Sequence, residues 1–261
     1  MLGLTNNATA QNDLKDESDV YHDIVQYEFV DSYKNLTIKT ILGFQHAVKY
    51  CPKAKFILKV DSDVYVNVPA ISHLLHNYEE NKTELHIPNV KEAATKQQMP
   101  TNVLEIVKTQ AKNGIFGLLL NDSAPFRMDA SHNIFQKWVV SKSEYPRDKY
   151  PDYLDGHGYV LPINVARELV QVSPSVPFFR LEDVYVGLCM ESLGYTIEHT
   201  SGFLRLPTPV TTCSHKNTHV YLVHGVNASR MRTVWEAKCH DHGLAAIELA
   251  NWNNRWIKMT T

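Results

Sequence analysis

The stretch Phe56-Ile57-Leu58-Lys59-Val60-Asp61-Ser62-Asp63-Val64-Tyr65-Val66-Asn67 decides how the rest of the chain is read. Residues 56–60 have the length and apolar character of a buried strand. The run ends in two carboxylates at i and i+2, Asp61 and Asp63, which extended chain places on one side. In an open α/β sheet, ligands sit in the crevice beyond the carboxyl ends of the strands, where these acids project. Two hard oxygen donors there suit Mn²⁺ or Mg²⁺, held by a few carboxylates and by substrate phosphates. An EF-hand loop needs an oxygen ligand at Tyr65 and a glycine at Val66, and has neither. The competing reading is a polar turn in which Asp61 or Asp63 caps backbone groups.

Outward from this stretch, helical and extended periods alternate. Upstream, Asp31 or Ser32 caps a helix whose apolar residues are Ile38, Ile41, Leu42 and Val48, and Cys51-Pro52 ends it. Residues 21–30 alternate as a short strand, and residues 1–20 read as a loop-like start. Downstream, Pro69 opens a helix with Ile71, Leu74, Leu75 and Tyr78 on one side. Weak helical spacing around Val103, Ile106 and Val107 marks residues 91–112, and residues 115–120 and 134–141 read as strands. Residues 145–162 are rich in Tyr, Pro, Gly and Asp, the composition of a loop that lines a substrate. Helices follow over residues 164–172, 184–193 and 231–238, and a strand ends at His224. Helices feeding strands across short connections predict an α/β fold of the doubly wound kind.

A length of 261 residues is enough for one substantial core. The net charge is −2 with no dense Lys/Arg run, which argues against a nucleic-acid partner. No apolar segment approaches the roughly 20 residues of a membrane-spanning helix. Residues 1–16 lack a basic region followed by an apolar one, so the chain as written reads as soluble and untargeted. Against the cytosol stand four cysteines (Cys51, Cys189, Cys213 and Cys239) and five sequons, at Asn7, Asn35, Asn81, Asn121 and Asn227. Both features belong to a lumenal domain. Cys213-x-His215 and Cys239-His240-x-His242 lack the Cys-x₂₋₄-Cys element of structural zinc, which favours a disulfide.

A second acidic site is Glu182-Asp183. A carboxylate at a helix N-terminus is held ionised by the dipole and free N–H groups, which suits a general base, although an N-cap Asp needs no catalytic role. His224 qualifies as a ligand for a Mn²⁺-class ion, but with 13 histidines most are ordinary. Trp138, Tyr150 and Tyr153 offer an apolar platform for a sugar ring, or simply core.

In this order the stretches resemble the inverting β-1,3-glycosyltransferases of family 31, the galactosyltransferase family, which also includes β-1,3-N-acetylglucosaminyltransferases. The likeness starts at Leu14-x-x-Glu17 and Tyr21-x-Asp23-Ile24. It continues through Phe29-x-Asp31-Ser32-Tyr33-x-Asn35-Leu36-Thr37-x-Lys39-Thr40 and Lys59-x-Asp61-x-Asp63-x-Tyr65-Val66-Asn67. It covers Lys137-Trp138, Tyr145-Pro146, Tyr150-Pro151-x-Tyr153, Gly156-x-Gly158-Tyr159-Val160-Leu161 and Glu182-Asp183-Val184-Tyr185-Val186-Gly187-x-Cys189, and ends with His224, Met231 and Trp235.

The resemblance implies a single glycosyltransferase catalytic domain over residues 1–261. Its fold would be a GT-A type, Rossmann-like α/β domain with a mostly parallel mixed sheet flanked by helices. It implies transfer of a hexose or N-acetylhexosamine, galactose first, from a UDP-sugar to the 3-hydroxyl of a glycan, glycoprotein or glycolipid acceptor, in protein glycosylation. Mn²⁺ (or Mg²⁺) would be held by Asp61, Asp63 and His224. Lys59, Asp61, Ser62 and Asp63 would line the donor, and Trp138, Tyr153, Gly156, His157, Gly158 and Glu182 the acceptor. Asp183 would be the base. The family's location implies the Golgi lumen, as a type II membrane protein.

Relative to the family pattern, the anchor, stem, first strand and Arg-rich helix are expected to be missing. Ser62 replaces a commoner acid, His157 stands where glycine is frequent, and Leu154 takes a place often held by cysteine, which leaves Cys51 without its expected partner. The alternative function is a carbohydrate-binding or partner-stabilising pseudoenzyme that lacks part of the donor site.

Overall fold

The computed structural model of the protein describes residues 1–84, 113–127, 136–205 and 211–239. The chain does not start as a loop. Strand β1 (Leu2–Leu4) is followed by helix α1 (Ala8–Tyr21) and strand β2 (Gln26–Val30), and β1 pairs in parallel with β2. The Asn7 side chain caps α1 by accepting from the backbone N–H of Thr9 (3.0 Å) and Ala10 (3.2 Å). None of α1's residues is buried, so the sequence carries no apolar period there.

A 3₁₀ turn, Tyr33–Asn35, leads into α2 (Leu36–Tyr50), which stops at Cys51-Pro52 as expected. Its buried residues are Thr37, Thr40 and Phe44, while Ile38 is left exposed. The threonines are tolerated inside because they find partners: the Thr37 hydroxyl donates to the Phe179 carbonyl at 2.7 Å. Next come β3 (Phe56–Val60), β4 (Val64–Val66), α3 (Val68–Glu84) and β5 (Phe116–Leu120). Asn67, 5 % exposed, accepts from the Ala70 N–H and donates to the carbonyls of His215 and Asn217, so it starts α3 and ties down a distant loop. The helix expected over residues 91–112 falls outside the described residues.

Two expectations are corrected further on. Residues 136–138 form a 3₁₀ turn rather than a strand, and pairing nearby is a single bridge between Phe126 and Val139. Residues 134 and 135 lie outside the described residues. The predicted loop over 145–162 contains β6 (Tyr153–Pro162), the longest strand, in which every residue but Gly156 is buried. Strand β6 lies between β3 and β5, and hydrogen bonds on both edges override the loop-like composition. Helix α4 (Ile163–Val172) and helix α5 (Glu182–Ser192) follow, then β7 (Phe203–Leu204), β8 (Leu222–His224) and α6 (Ala228–Glu236). The architecture is mixed α/β, and the described strands form three small sheets: β1-β2, β3-β6-β5 and β4-β8-β7. No described helix is long and apolar enough to cross a membrane.

The chain divides into two compact units. The first comprises Met1–Lys59, Leu119–Gly156 and Leu161–Ile197. Within it α2, α4 and α5 pack on one another, beside an aromatic cluster of Tyr145, Tyr150, Tyr153 and Phe179. Helix α5 buries residues on all sides and ends in a Schellman turn. Gly194 sits at φ 74°, with the Tyr195 N–H on the Met190 carbonyl and the Gly194 N–H on the Glu191 carbonyl. The second unit comprises Val60–Leu118, His157–Val160 and Glu198–Thr261. Its core joins Tyr65, Leu204, Val220, Val223, Val226 and Val234. A Cys213–Cys239 disulfide closes this unit, as favoured over zinc, while Cys51 (exposed) and Cys189 (buried) are thiols.

Helix α5 approaches the chain around Tyr153 through Gly187. A Cβ there would lie 2.6 Å from the Tyr153 Cβ and 2.9 Å from the Asp152 carbonyl oxygen, closer than real atoms come. Gly187→Ala is therefore expected to cost about 1–3 kcal/mol by overpacking. Urea unfolding measures this, and an unchanged midpoint would contradict the close approach.

Candidate active site

Asp183 lies in the first turn of α5. The sequence placed it at the N-cap, but that position belongs to Leu181, whose side chain cannot cap, and the helix starts one residue earlier at Glu182. Asp183 Oδ1 accepts from the Val184 N–H at 2.9 Å. Its other oxygen faces Gly156, where an added Cβ would come within 3.2 Å of Oδ2. Glycine at 156 thus leaves the room the carboxylate occupies. Withdrawal from water, and after it the nearby acids Glu182 and Asp155, push the Asp183 carboxyl up to about 7. The Val184 N–H and the Lys59 ammonium pull the other way without cancelling that rise.

Lys59 and Glu182, expected to line donor and acceptor, meet each other. Glu182 is 6 % exposed, and its carboxylate lies 3.4 Å from the Lys59 Nζ, which also donates to the Gly156 carbonyl. A buried acid needs such a counter-ion to remain charged. Tyr153 is buried edge-on against Tyr150 in the aromatic cluster. Trp138 keeps the surface position a platform requires, at 40 % exposure. Its Nε1–H donates to the Tyr33 hydroxyl (2.7 Å), and the Lys137 ammonium sits 4.5 Å from its ring centre. Arg180 fixes this turn by donating to the Lys137 and Val139 carbonyls and pairing with Glu144. Asp155, 4 % exposed in β6, was missed because its strand was read as a loop; an acid inside an apolar run was the available signal.

In the second unit, Asp61, Ser62 and Asp63 are exposed on the turn between β3 and β4. Antiparallel pairing of β4 with β8 puts Val64 opposite His224, and the Val226 N–H donates to the Asp63 carbonyl at 2.8 Å. This brings His224 Nε2 to 3.3 Å from Asp63 Oδ2. His157 was expected to meet the acceptor, but it is 3 % exposed and stacks on His224 with ring centres 5.7 Å apart. Its carbonyl also accepts from the Asp61 N–H at 3.1 Å, so it supports both sides of the turn. Gly158 is buried next to it in β6. Among the described residues no group of three His, Cys, Asp or Glu side chains is placed to hold a metal ion. One carboxylate and one imidazole, both accessible, fit an ion of the Mn²⁺ class that takes its remaining ligands from phosphate and water.

Of the sequons, Asn7, Asn121 and Asn227 are exposed, and Asn227 also caps α6. Asn35 donates through Nδ2 to the Val30 carbonyl, and the side chain of Asn81 lies outside the described residues.

The raised pKa of Asp183 has a stability consequence. Its folded-state value exceeds the ordinary 3.8, so the folded protein holds this proton more tightly than the unfolded chain. The stability is complete below the unfolded value and is lost as pH rises through about 7. Asp183→Asn removes that loss, and is expected to stabilise the protein at pH 8 by roughly 1–3 kcal/mol. The gain should shrink to less than half of that at pH 5 in urea titrations. An equal gain at both values would contradict the assignment.

A sequence model of the family described as Galactosyltransferase matches residues 1–201. Beta-1,3-galactosyltransferase 5 of Homo sapiens is 35 % identical over 198 residues, 76 % of this chain and 53 % of the relative. The Pan paniscus protein of the same name is also 35 % identical over 198 residues, covering 76 % and 54 %. Beta-1,3-galactosyltransferase 1 of Mus musculus is 28 % identical over 235 residues, 90 % of this chain and 61 % of the relative. The chain thus spans between about half and three fifths of the length of these relatives. It belongs to the galactosyltransferase family, glycosyltransferase family 31.

Proposed function

We propose that this chain carries the catalytic domain of an inverting β-1,3-galactosyltransferase, with a UDP-sugar as donor and the 3-hydroxyl of a glycan as acceptor. The observation that carries the reading is Asp183, a carboxylate with its pKa pushed up to about 7 at the start of α5, in a chain of this family. A general base works best when its pKa lies near the operating pH. In this reading Asp183 takes the proton of the acceptor 3-hydroxyl onto Oδ2 as that oxygen attacks the anomeric carbon. The bond to the UDP oxygen breaks as the new bond forms, and this single displacement inverts the configuration. No covalent nucleophile is needed.

Asp63 and His224 would hold Mn²⁺, or Mg²⁺, which supplies positive charge to the departing diphosphate. His157 keeps the His224 ring in position. Lys59 gives Glu182, the neighbour of Asp183, a counter-ion. Trp138 offers a face for an acceptor ring. The same reading includes a GT-A type, Rossmann-like domain acting in the Golgi lumen.

Asp183→Asn is expected to keep UDP binding and lose transfer by roughly 10²–10⁴-fold. Loss of UDP affinity instead would assign the residue a structural role. The wild-type rate should fall on the acid side with a midpoint near pH 7, because only ionised Asp183 accepts the proton. A rate independent of pH between 5.5 and 8 would remove it as the base. Asp63→Ala, at an exposed turn, should stay folded and lose Mn²⁺-dependent turnover, whereas wild-type turnover would rule out the metal assignment.

A further inference from the structure

Lys59 grips both residues that border Asp183, all within the first unit. Strand β3 runs next to β6, and Lys59, the last residue but one of β3, donates from its ammonium to the Gly156 carbonyl. The same ammonium lies 3.4 Å from the carboxylate of Glu182, the first residue of α5. Gly156 is in turn the residue on which Asp183 packs, since a Cβ added there would come within 3.2 Å of Asp183 Oδ2. One lysine therefore holds the neighbour of Asp183 in the helix and the glycine beneath its carboxylate.

Charge decides what this grip does. The Glu182 side chain is 5 % exposed and that of Lys59 17 %, so salt and water screen the pair little. An ammonium alone beside Asp183 would hold the carboxylate ionised and make it a weak acceptor of protons. A bare carboxylate in the same place would do the reverse and keep Asp183 protonated. Paired, the two charges oppose each other. Burial is then the largest influence on Asp183, with Glu182 and Asp155 raising its pKa and the Val184 N–H and Lys59 lowering it. Asp183 also acts on the Tyr150 hydroxyl, which burial holds well above its ordinary range and so uncharged.

We infer that Lys59 and Glu182 form a positioning pair for Asp183: each cancels the other's charge beside the carboxylate, so that Asp183 can both take and release a proton near neutral pH. That this proton comes from an acceptor hydroxyl rests on the proposed transferase reading; the effect of the pair on the Asp183 carboxyl does not.

The test follows the side-chain carboxyl ¹³C signal of Asp183 against pH in the full chain, assigned by its loss in Asp183→Asn. Glu182→Gln is close to isosteric and leaves the Lys59 charge uncompensated, so the titration midpoint should fall by about one pH unit or more. Lys59→Met leaves Glu182 as a bare acid and should move the midpoint up. The Lys59→Met/Glu182→Gln double variant should return it toward the wild-type value, as a mutually cancelling pair requires. Thermal melting checks that each variant is folded; if Lys59→Met is not, the fall in Glu182→Gln and its reversal in the double variant decide. A pair that only braces the fold would change melting temperatures without opposed shifts. An unmoved midpoint in Glu182→Gln, single shifts of the same sign, or a double variant that keeps the Glu182→Gln displacement overturns the inference. The acid limb of the transfer rate should move with the NMR midpoint. If the NMR midpoints shift as stated and the rate profile does not follow, the pair stands and Asp183 is not the base.

Discussion

The contact on which the first unit depends is the approach of α5 to β6 and the residues leading into it, made possible by two glycines. Gly187 lets the helix come against Tyr153 and Asp152, and Gly156 makes room for the Asp183 carboxylate. Bringing a helix that close buries its first turn, and that turn is acidic. Three carboxylates (Glu182, Asp183 and Asp155) therefore stand in one poorly hydrated region. They cannot all ionise cheaply. Lys59 pairs with Glu182, while burial and the neighbouring acids raise the Asp183 carboxyl. The feature that suits Asp183 to proton transfer is thus a by-product of tight packing, and it carries a stability cost above neutral pH.

The second unit solves a different problem. Its acids sit on an exposed turn, where solvent would let them wander, so orientation has to come from the surrounding backbone. Pairing of β4 with β8 and the bond from Val226 to the Asp63 carbonyl fix the turn, and buried His157 stacks on His224 from β6. An outer group that orients a ligand side chain is a common requirement of sites that take a metal ion.

How much of this was legible in the sequence varied with the kind of signal. The strand ending in Asp61 and Asp63 and the helix stop at Cys51-Pro52 were readable, because each rests on a local rule that tertiary structure did not oppose. Strand β6 was not readable: Tyr153, Asp155, Gly156 and Gly158 look like a loop until neighbouring strands supply both edges. Helix α1 was missed because a helix with nothing buried has no apolar period. At the candidate site, the surroundings of Lys59, Glu182, Tyr153 and His157 depend on burial and on partners far apart in sequence. A carboxylate beside a helix start is visible in the chain; the lysine that neutralises its neighbour, 123 positions away, is not.

The central claim, that Asp183 drives a single inverting displacement, is tested most directly by following product formation by proton NMR. The chain would be incubated with UDP-galactose, Mn²⁺ and a panel of glycosides ending in galactose or N-acetylglucosamine. The account predicts that galactose appears on a 3-hydroxyl as the β anomer from the first time points, with no α anomer preceding it. An α-linked product, or release of free galactose with no transfer to any acceptor, would contradict it.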